Sequence, residues 1–299
     1  LIWPPLQNVM IFAVIGYGVR AEHLSGGELA GLAFGIGILT GTIGINYAHE
    51  LMHQKSKLER WLSDILLASV LYSHFRPEHL LVHHRYVATG KDPATARYNE
   101  GFHRFLPRVL RQSFVSAWRA EVAMLGRKGK AWWDASNPYW IFLGLQAAFL
   151  ALAFLVGGWV GIAMFAGQAL TAVVTLELTN YVEHYGLTRR HLGDGKYEHV
   201  KPHHSWNAEQ KASNWLLINL QRHSDHHYKP DRRFPLLQTY SADEAPLLPY
   251  GYPVMTIAAL VPPLWKRVMN KRVKAWRQMH YPDIDDWHPY NKALNPLPR

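Results

Sequence analysis

The sequence predicts an all-α fold, an integral-membrane helical bundle with a helical, histidine-rich cytoplasmic cap. Three observations support this prediction: long apolar blocks, the placement of the basic residues, and the spacing of the histidines. The chain has 299 residues, of which 48% are hydrophobic and 13% aromatic, a composition typical of folded proteins rather than disordered ones. It contains no cysteine, which excludes disulfides, thiolate metal sites and iron–sulfur clusters within this sequence.

Four apolar segments are long enough to cross a membrane. A bilayer core of about 30 Å requires roughly 20 residues of helix, and residues 2–19, 29–47, 139–156 and 159–182 each approach that length. The four segments form two predicted helical hairpins, and the second hairpin turns at Gly157 and Gly158. Such short connections join antiparallel helices. We therefore expect a multi-pass membrane protein.

The basic residues indicate the orientation of these spans. All but one of the 32 lysines and arginines lie in residues 54–138 or after Val182, and the exception is Arg20. Lysine and arginine accumulate on the cytoplasmic side of membrane proteins, so both regions are predicted to be cytoplasmic. No nucleic-acid recognition motif accompanies the positive charge, which anionic lipid headgroups explain more simply. We expect membrane lipid, and no nucleic acid, as a partner.

The chain is predicted to comprise four segments that fold as one unit. They are a first transmembrane hairpin (1–53), a cytoplasmic segment (54–138), a second transmembrane hairpin (139–182) and a second cytoplasmic segment (183–299). The sequence begins at Leu1 rather than at a methionine, and we expect that an upstream part is missing.

Histidines recur at spacings typical of metal ligands. The motifs are HELMH at 49–53, EHLLVHH at 78–84, NYVEHYG at 180–186 and LQRHSDHH at 220–227. On an α-helix, positions i, i+3 and i+4 share a face, so each of the first, second and fourth motifs should direct two or three imidazoles to one place. Nine imidazoles suit two metal ions, and imidazole binds iron, copper, nickel and zinc alike. The spacing alone therefore predicts a metal centre without naming the metal.

Two other functions would use the histidine motifs differently. HELMH alone matches the zinc-protease pattern, but that function would leave the other three motifs unused. A histidine-rich metal transporter or store should spread its ligands through the membrane, whereas these motifs lie at one end of the spans. For His203 and His204, in the sequence PHHSWN, a structural role is favoured over metal ligation.

The four motifs together resemble those of the membrane-bound alkane 1-monooxygenases. The similarity covers nearly the whole chain and includes DPAT at 92–95 and PHHSWN at 202–207. Family members generally have six spans, so the resemblance implies that a first hairpin has been lost. Xylene monooxygenase hydroxylases and membrane desaturases have a similar arrangement of histidine motifs and remain alternatives. The iron ligands implied by the resemblance are His49, His53, His79, His83, His84, His184, His223, His226 and His227.

The resemblance also implies an activity, a cofactor and a location. These are the O2-dependent terminal hydroxylation of alkanes to 1-alkanols, at a centre of two non-haem iron ions, on the cytoplasmic side of a bacterial inner membrane. The sequence has no flavin or nicotinamide fingerprint and no cysteine for an iron–sulfur site, so the electrons must come from a separate protein. The family implies rubredoxin, which an NADH-dependent reductase reduces.

Acidic residues near the motifs are expected to orient the ligands. Metal-bound histidines usually donate their second ring N–H to a carboxylate, a carbonyl or water. Glu177 and Asn180 lie inside the fourth predicted span, where an ionisable side chain is costly and by default suggests function. The acidic candidates for orienting the histidines are Glu50, Glu78, Asp92, Glu183 and Asp225.

Overall fold

The computed structural model describes residues 1–291, so the last eight residues of the predicted segment 183–299 lie outside the described residues. Helices dominate this part of the chain, which confirms the predicted all-α class. The helices are α1 (Trp3–Arg20), α2 (Gly26–Leu39), α3 (Ile45–Met52), α4 (Lys57–Ser69), α5 (Phe75–Pro77), α6 (His84–Tyr86), α7 (Phe102–Arg127), α8 (Tyr139–His184), α9 (Lys211–Leu216), α10 (His223–Tyr228), α11 (Tyr252–Ala259), α12 (Pro262–His280) and α13 (His288–Asn291).

Short elements of other types complete the described part of the chain. Two π-helical turns occur, at Thr40–Gly44 between α2 and α3 and at Glu78–His83 directly before α6. Two 3₁₀ turns lie at Pro202–His204 and Phe234–Leu236. Strands β1 (His191–Gly193) and β2 (Lys196–Tyr197) form an antiparallel hairpin. This hairpin is the one two-stranded sheet within residues 1–291, and the prediction of an all-α fold did not include it.

Two helical stretches among residues 1–291 are long and apolar enough to cross a membrane. They are Gly26–Met52, with a mean hydropathy of 1.6, and Tyr139–His184, with a mean hydropathy of 2.2. The predicted turn inside the second stretch is confirmed, because Gly157 and Gly158 leave the helical conformation (φ −146° and +57°). Helix α1 covers the predicted span 2–19, but its polar residues and prolines place it outside this apolar pair. A crossing by α1 stays a prediction.

The chain divides into two compact units. The first unit comprises Leu1–Glu78 and Ala117–Leu176, and the second comprises His79–Ser116 and Glu177–Arg299. In the first unit, Ile11, Ile15 and Phe165 form the centre of an apolar cluster. Because Ile11 and Ile15 are one helical turn apart on α1, they lie on the same face of that helix.

Close helix packing in the first unit depends on small residues of α2. A Cβ atom on Gly37 would lie 2.4 Å from Cβ of Thr171 and 2.6 Å from the Gln168 carbonyl oxygen. The Gln168 side chain accepts a hydrogen bond from Thr40 Oγ1 at 3.0 Å and donates one to the Ser69 carbonyl at 2.7 Å. The first unit therefore combines an apolar core with buried polar groups that are hydrogen-bonded, as burial requires.

The second unit is built around the buried face of α12. Trp265, Met269 and Val273 recur at helical spacing on that face and are fully buried. The Trp265 ring packs against Tyr181 and Tyr185, with ring centroids 5.2 and 5.3 Å apart. Aromatic pairs at this distance add stability beyond the apolar area that they bury.

Candidate metal centre

Four histidines of the second unit form one cluster, which we call the four-histidine cluster: His83, His184, His223 and His227. One ring nitrogen of each lies within 4.8 Å of the others. The contacts between Nε2 atoms measure 3.2 Å for His83–His227, 3.0 Å for His227–His223 and 3.2 Å for His223–His184. All four side chains are buried. The structure thus directs four imidazole nitrogens to one enclosed place.

Three separate elements position these rings. His184 is the last residue of α8, whereas His223 and His227 lie one turn apart on the short helix α10. Residues four positions apart share a helical face, which explains why His223 and His227 point the same way. His83 ends the π-helical turn Glu78–His83.

The π-helical turn at Glu78–His83 differs from the α-helix predicted for the EHLLVHH motif. EHLLVHH was expected to be α-helical, with His79 and His83 on one face, and in that geometry His84 would lie about 140° away from His79 around the axis. Hydrogen bonds from i to i+5 widen the turn. The widened turn instead brings His84 Nε2 to 3.0 Å from His79 Nε2. The spacing of five residues between His79 and His84 fits this geometry, because i to i+5 hydrogen bonds place such residues near one another.

His79 and His84 belong to a second group in the same unit, the three-histidine cluster, which His226 completes. His226 Nε2 lies 3.1 Å from His84 Nε2, and the rings of His79 and His226 stack with centroids 5.8 Å apart. Helix α10 therefore presents His223 and His227 to one cluster and His226 to the other. The second unit contains seven of the nine predicted ligands.

The remaining two predicted ligands lie in the first unit. His49 is on helix α3 and His53 is the residue directly after it. Their ring centroids are 5.2 Å apart and the rings are nearly perpendicular. The predicted pairing of these two imidazoles on one helical face is therefore present in the first unit, and their ligation of a metal stays a prediction.

The chemistry of the four-histidine cluster fits a divalent transition metal. A histidine must be neutral to bind a metal ion. Burial lowers the pKa of His227 well below its usual value, and the neighbouring imidazoles of His223 and His83 lower it further. The His227 ring is consequently neutral near pH 7. A buried, neutral, all-imidazole donor set suits iron, copper, nickel or zinc.

Asp92 of the DPAT motif orients one of the rings as predicted. Its Oδ2 atom lies 2.9 Å from Nδ1 of His83, and both side chains are buried. Asp92 is itself fixed, since it accepts hydrogen bonds from Thr95 Oγ1 at 2.6 Å and from the backbone N–H of Ala94 at 3.1 Å. Because Nδ1 of His83 faces Asp92, Nε2 is the nitrogen directed at the cluster.

Among the other acidic candidates, Asp225 has partners of a different kind from those of Asp92. Asp225 was expected to support a histidine, but it pairs with Arg232 and accepts hydrogen bonds from Tyr240 Oη at 2.7 Å and from the Gln238 backbone at 2.9 Å. Asp225 lies between His223 and His226 in the sequence of α10. Its side chain nevertheless faces Arg232, Tyr240 and Gln238. Glu78 is buried, and Glu50 accepts a hydrogen bond of 2.9 Å from Gln54 Nε2.

Glu177 and Asn180 share a face of α8, since they are three residues apart on that helix. Asn180 Nδ2 donates a hydrogen bond of 3.1 Å to Glu177 Oε2, and both side chains are buried. The structure places the pair one to two helical turns before His184. Their role at the site stays a prediction.

The PHHSWN motif connects two of the ligand-bearing helices. Asn207 Oδ1 accepts a hydrogen bond of 2.9 Å from the backbone N–H of Ser224, and the Ser205 carbonyl accepts one of 2.9 Å from Ser224 Oγ. The Trp206 backbone N–H donates to the Glu183 carbonyl at 2.9 Å. The motif therefore holds α10, which contains Ser224, and the end of α8, which contains Glu183.

His203 and His204 form part of a separate hydrogen-bond network with Glu198 and Tyr281. His204 Nδ1 accepts a hydrogen bond of 2.9 Å from the Lys201 backbone, and its Nε2 lies 2.8 Å from Tyr281 Oη. Burial lowers the pKa of His204 to about 4, although its hydrogen bond with Glu198 acts in the opposite direction. Both ring nitrogens of His204 are thus engaged, and Lys201 Nζ lies 3.2 Å from Glu198. This arrangement supports the structural role that the sequence analysis favoured.

Comparison with known proteins agrees with the motif pattern. Residues 28–258 match the fatty acid desaturase family model. The chain is 42% identical to alkane 1-monooxygenase 2 of Alcanivorax borkumensis, over 89% of this chain and 67% of the relative. It is also 42% identical to alkane 1-monooxygenase 2 of Pseudomonas aeruginosa, over 91% and 72%. Similarity to the xylene/toluene monooxygenase hydroxylase component of Pseudomonas putida is lower, at 26% identity over 90% of this chain.

These matches confirm the resemblance inferred from the histidine motifs. The matched family region contains every predicted ligand, and the similarity to the two monooxygenases extends over about nine tenths of the chain. The chain belongs to the fatty acid desaturase family and, within it, to the alkane 1-monooxygenases.

Proposed function

We propose that the protein hydroxylates alkanes at a terminal carbon, using O2 and a centre of two non-haem iron ions. The observation that carries this proposal is the convergence of four Nε2 atoms in the four-histidine cluster, where three consecutive pairs are 3.0–3.2 Å apart. The names of the relatives supply the reaction class, since those at about 42% identity are alkane 1-monooxygenases. The expected product is the 1-alkanol.

The proposed ligand set divides the nine histidines between two ions. The four-histidine cluster would bind one ion. The three-histidine cluster would contribute to the second, and the HELMH motif supports adding His49 and His53 to it. A set made only of histidines leaves positions at each ion open for oxygen.

The residues around the ligands prepare the site for this chemistry. The iron ions would supply the reduction of O2 and the removal of hydrogen from a C–H bond. Asp92 holds the His83 ring in place, and burial keeps His227 neutral. We propose that Glu177 and Asn180 support the site from within α8. An alkane has no polar group to bind, so its position must be set by apolar side chains of the spans.

We place the protein in the bacterial inner membrane, with several spans and the histidine clusters on the cytoplasmic side. The support is the hydropathy of Gly26–Met52 and Tyr139–His184 together with the concentration of basic residues outside the predicted spans. In this arrangement, a hydrocarbon dissolved in the lipid could enter from the membrane.

We propose rubredoxin, reduced by an NADH-dependent reductase, as the electron donor. The net charge of the chain is +10, and α12 contributes an exposed basic face. Arg267, Lys271 and Lys274 recur on that face at spacings of four and three residues and are exposed. An acidic electron carrier would be attracted to such a surface by long-range electrostatics.

Raising the ionic strength should slow reduction of the protein by the donor. The Debye length falls from about 10 Å at 0.1 M salt to about 3 Å at 1 M, so steering between the two proteins weakens. Stopped-flow reduction by rubredoxin would measure the rate constant at each salt concentration. The triple variant Arg267→Gln, Lys271→Gln, Lys274→Gln should show a slower rate at low salt and a smaller salt dependence. A rate independent of salt in the unmodified protein would contradict electrostatic docking.

The alternative function is desaturation, or hydroxylation of a xylene-type hydrocarbon. The family match and the relative at 26% identity favour keeping this alternative. Product analysis separates the functions when the purified protein is supplied with donor, O2 and an n-alkane. A 1-alkanol would support the proposal, an alkene would establish a desaturase, and turnover of xylene without turnover of the alkane would favour the third function.

A further inference from the structure

Glu183 is an acidic residue whose side chain lies beside a nitrogen of the four-histidine cluster. It precedes His184 at the end of α8 and is buried. The sequence analysis placed it behind a ligand, as an acceptor for the second ring N–H of a histidine. The structure instead places Glu183 Oε2 3.3 Å from Nε2 of His223, the nitrogen that also contacts His184 and His227. The carboxylate is therefore on the same side of the His223 ring as the cluster.

The spacing of these atoms is that of neighbouring ligands around a single ion. Nitrogen and oxygen ligands lie about 2.1 Å from a divalent transition metal, so adjacent ligands are separated by about 3.0–3.4 Å. Three Nε2 pairs of the four-histidine cluster, His83–His227, His227–His223 and His223–His184, are 3.0–3.2 Å apart. The 3.3 Å between Glu183 and His223 falls in the same range. Glu183 Oε2 is thus about as far from His223 Nε2 as the Nε2 atoms of His184 and His227 are.

The charge of the site gives an independent reason for an anionic ligand. Four neutral imidazoles provide no negative charge, and a buried cation requires compensation. Asp92 is separated from the cluster by the His83 ring, and Asp225 is paired with Arg232. Among residues 1–291, Glu183 Oε1 has no hydrogen-bond partner although it is buried. A metal ion in the cluster would balance the negative charge of this carboxylate. The carboxylate in turn would balance part of the positive charge of the ion.

Tyr252, at the start of α11, is connected to Glu183 through the backbone of Trp206. Its hydroxyl donates a hydrogen bond of 2.9 Å to the Trp206 carbonyl oxygen, and the Trp206 backbone N–H donates one of 2.9 Å to the Glu183 carbonyl oxygen. The Tyr252 backbone N–H donates to Gln221 Oε1 at 2.8 Å. Tyr252 is fully buried, so its ring has little freedom to move. No sequence motif pointed to this residue.

We propose that Glu183 is an oxygen ligand of the metal ion bound by the four-histidine cluster, and that Tyr252 is a positioning residue that acts on Glu183 through the Trp206 backbone. The inference rests on the proposed metal centre and extends it from nine histidine ligands to a tenth, anionic one. It assigns the carboxylate to one ion, which makes the two ions chemically unequal.

The test compares iron binding in the full chain with Glu183→Gln, Tyr252→Phe and the control Glu121→Gln. Glu121 is a buried carboxyl group of the first unit, so its variant makes the same chemical change in a residue that belongs to neither histidine cluster. Each protein is loaded with ⁵⁷Fe, examined by Mössbauer spectroscopy and then titrated with a competing chelator. These readouts do not require turnover.

We expect Glu183→Gln to alter the Mössbauer signal of one iron and to leave the other unchanged. That iron should also be released at a chelator concentration at least about tenfold lower, because losing a direct ligand should cost no less than losing an outer partner. Tyr252→Phe should change the same signal by a smaller amount, and Glu121→Gln should match the unmodified protein.

Unchanged spectra and chelator titrations in both site variants would overturn the proposal while leaving the di-iron centre intact. If Glu183→Gln fails to accumulate, Tyr252→Phe decides the matter in the same way. Failure of the unmodified chain to bind iron would be a different result, because it would overturn the proposed metal centre together with this inference.

Discussion

Replacing His227 with alanine is expected to remove the metal from the four-histidine cluster and to abolish alkane hydroxylation. His227 Nε2 contacts both His83 Nε2 at 3.2 Å and His223 Nε2 at 3.0 Å, so it occupies the middle of the cluster. Altering a residue that merely supports a ligand typically costs 10- to 100-fold in affinity or activity. The loss of a ligand itself should therefore exceed about 100-fold in alkanol formation, measured by gas chromatography.

The matched control for this variant is His199→Ala. His199 lies in the second unit and is exposed, so its replacement removes an imidazole without touching either cluster. Iron content and alkanol formation should be unchanged in the control. A His227→Ala protein that keeps its full iron content and its activity would show that the cluster is not the metal site.

Replacing Asp92 with alanine is expected to weaken metal binding by about 10- to 100-fold, the range found for residues that orient a ligand. The substitution removes the acceptor for Nδ1 of His83 and also the partner of Thr95 Oγ1. The His83 ring would lose both its orientation and the negative charge that increases its basicity. Competition with a chelator, followed by elemental analysis, would measure the loss of affinity.

Asp283→Ala provides the control for this second variant. Asp283 forms an ion pair with Arg190 at the surface, so the control also removes a paired carboxylate, but one distant in sequence from every histidine motif. It should bind metal as the unmodified protein does. If Asp92→Ala retained metal at the same chelator concentration as the control, Asp92 would have no orienting role.

Much of the site could be predicted because histidine spacing carries geometric information. His223, His226 and His227 lie on a helix in the structure, as their spacing predicted, and Asp92 contacts His83 as an acid near a ligand was expected to do. These predictions depended on local geometry. An α-helix places residues three and four positions apart on one face whatever surrounds it.

The parts that were missed depend on the surroundings instead. The π-helical turn at Glu78–His83 shifts the backbone hydrogen bonds by one residue, and its effect is to bring His84 beside His79. Tyr252 contacts Trp206, and through its backbone Glu183, from a helix 69 positions after Glu183 in the chain. Neither contact follows from a repeat or a local pattern. The partners of Asp225 could not be predicted from local sequence either, because Arg232 and Tyr240 are brought to it by the fold.

The apolar pattern predicted helix positions better than it predicted their boundaries. The turn at Gly157 and Gly158 is present, and the predicted span 29–47 lies within Gly26–Met52. The apolar stretch 246–265 contains α11 and the start of α12, with Pro262 as the first residue of α12. Proline is favoured in the first turn of a helix, where its missing N–H has no partner to lose.

The measurement that tests the central claim most directly is the metal content of the purified full chain by elemental analysis, after expression with supplementary iron. The account predicts about two iron ions per chain, as nine imidazoles divided between two ions require. One zinc ion per chain with little iron would contradict it and would favour the zinc-protease interpretation of HELMH.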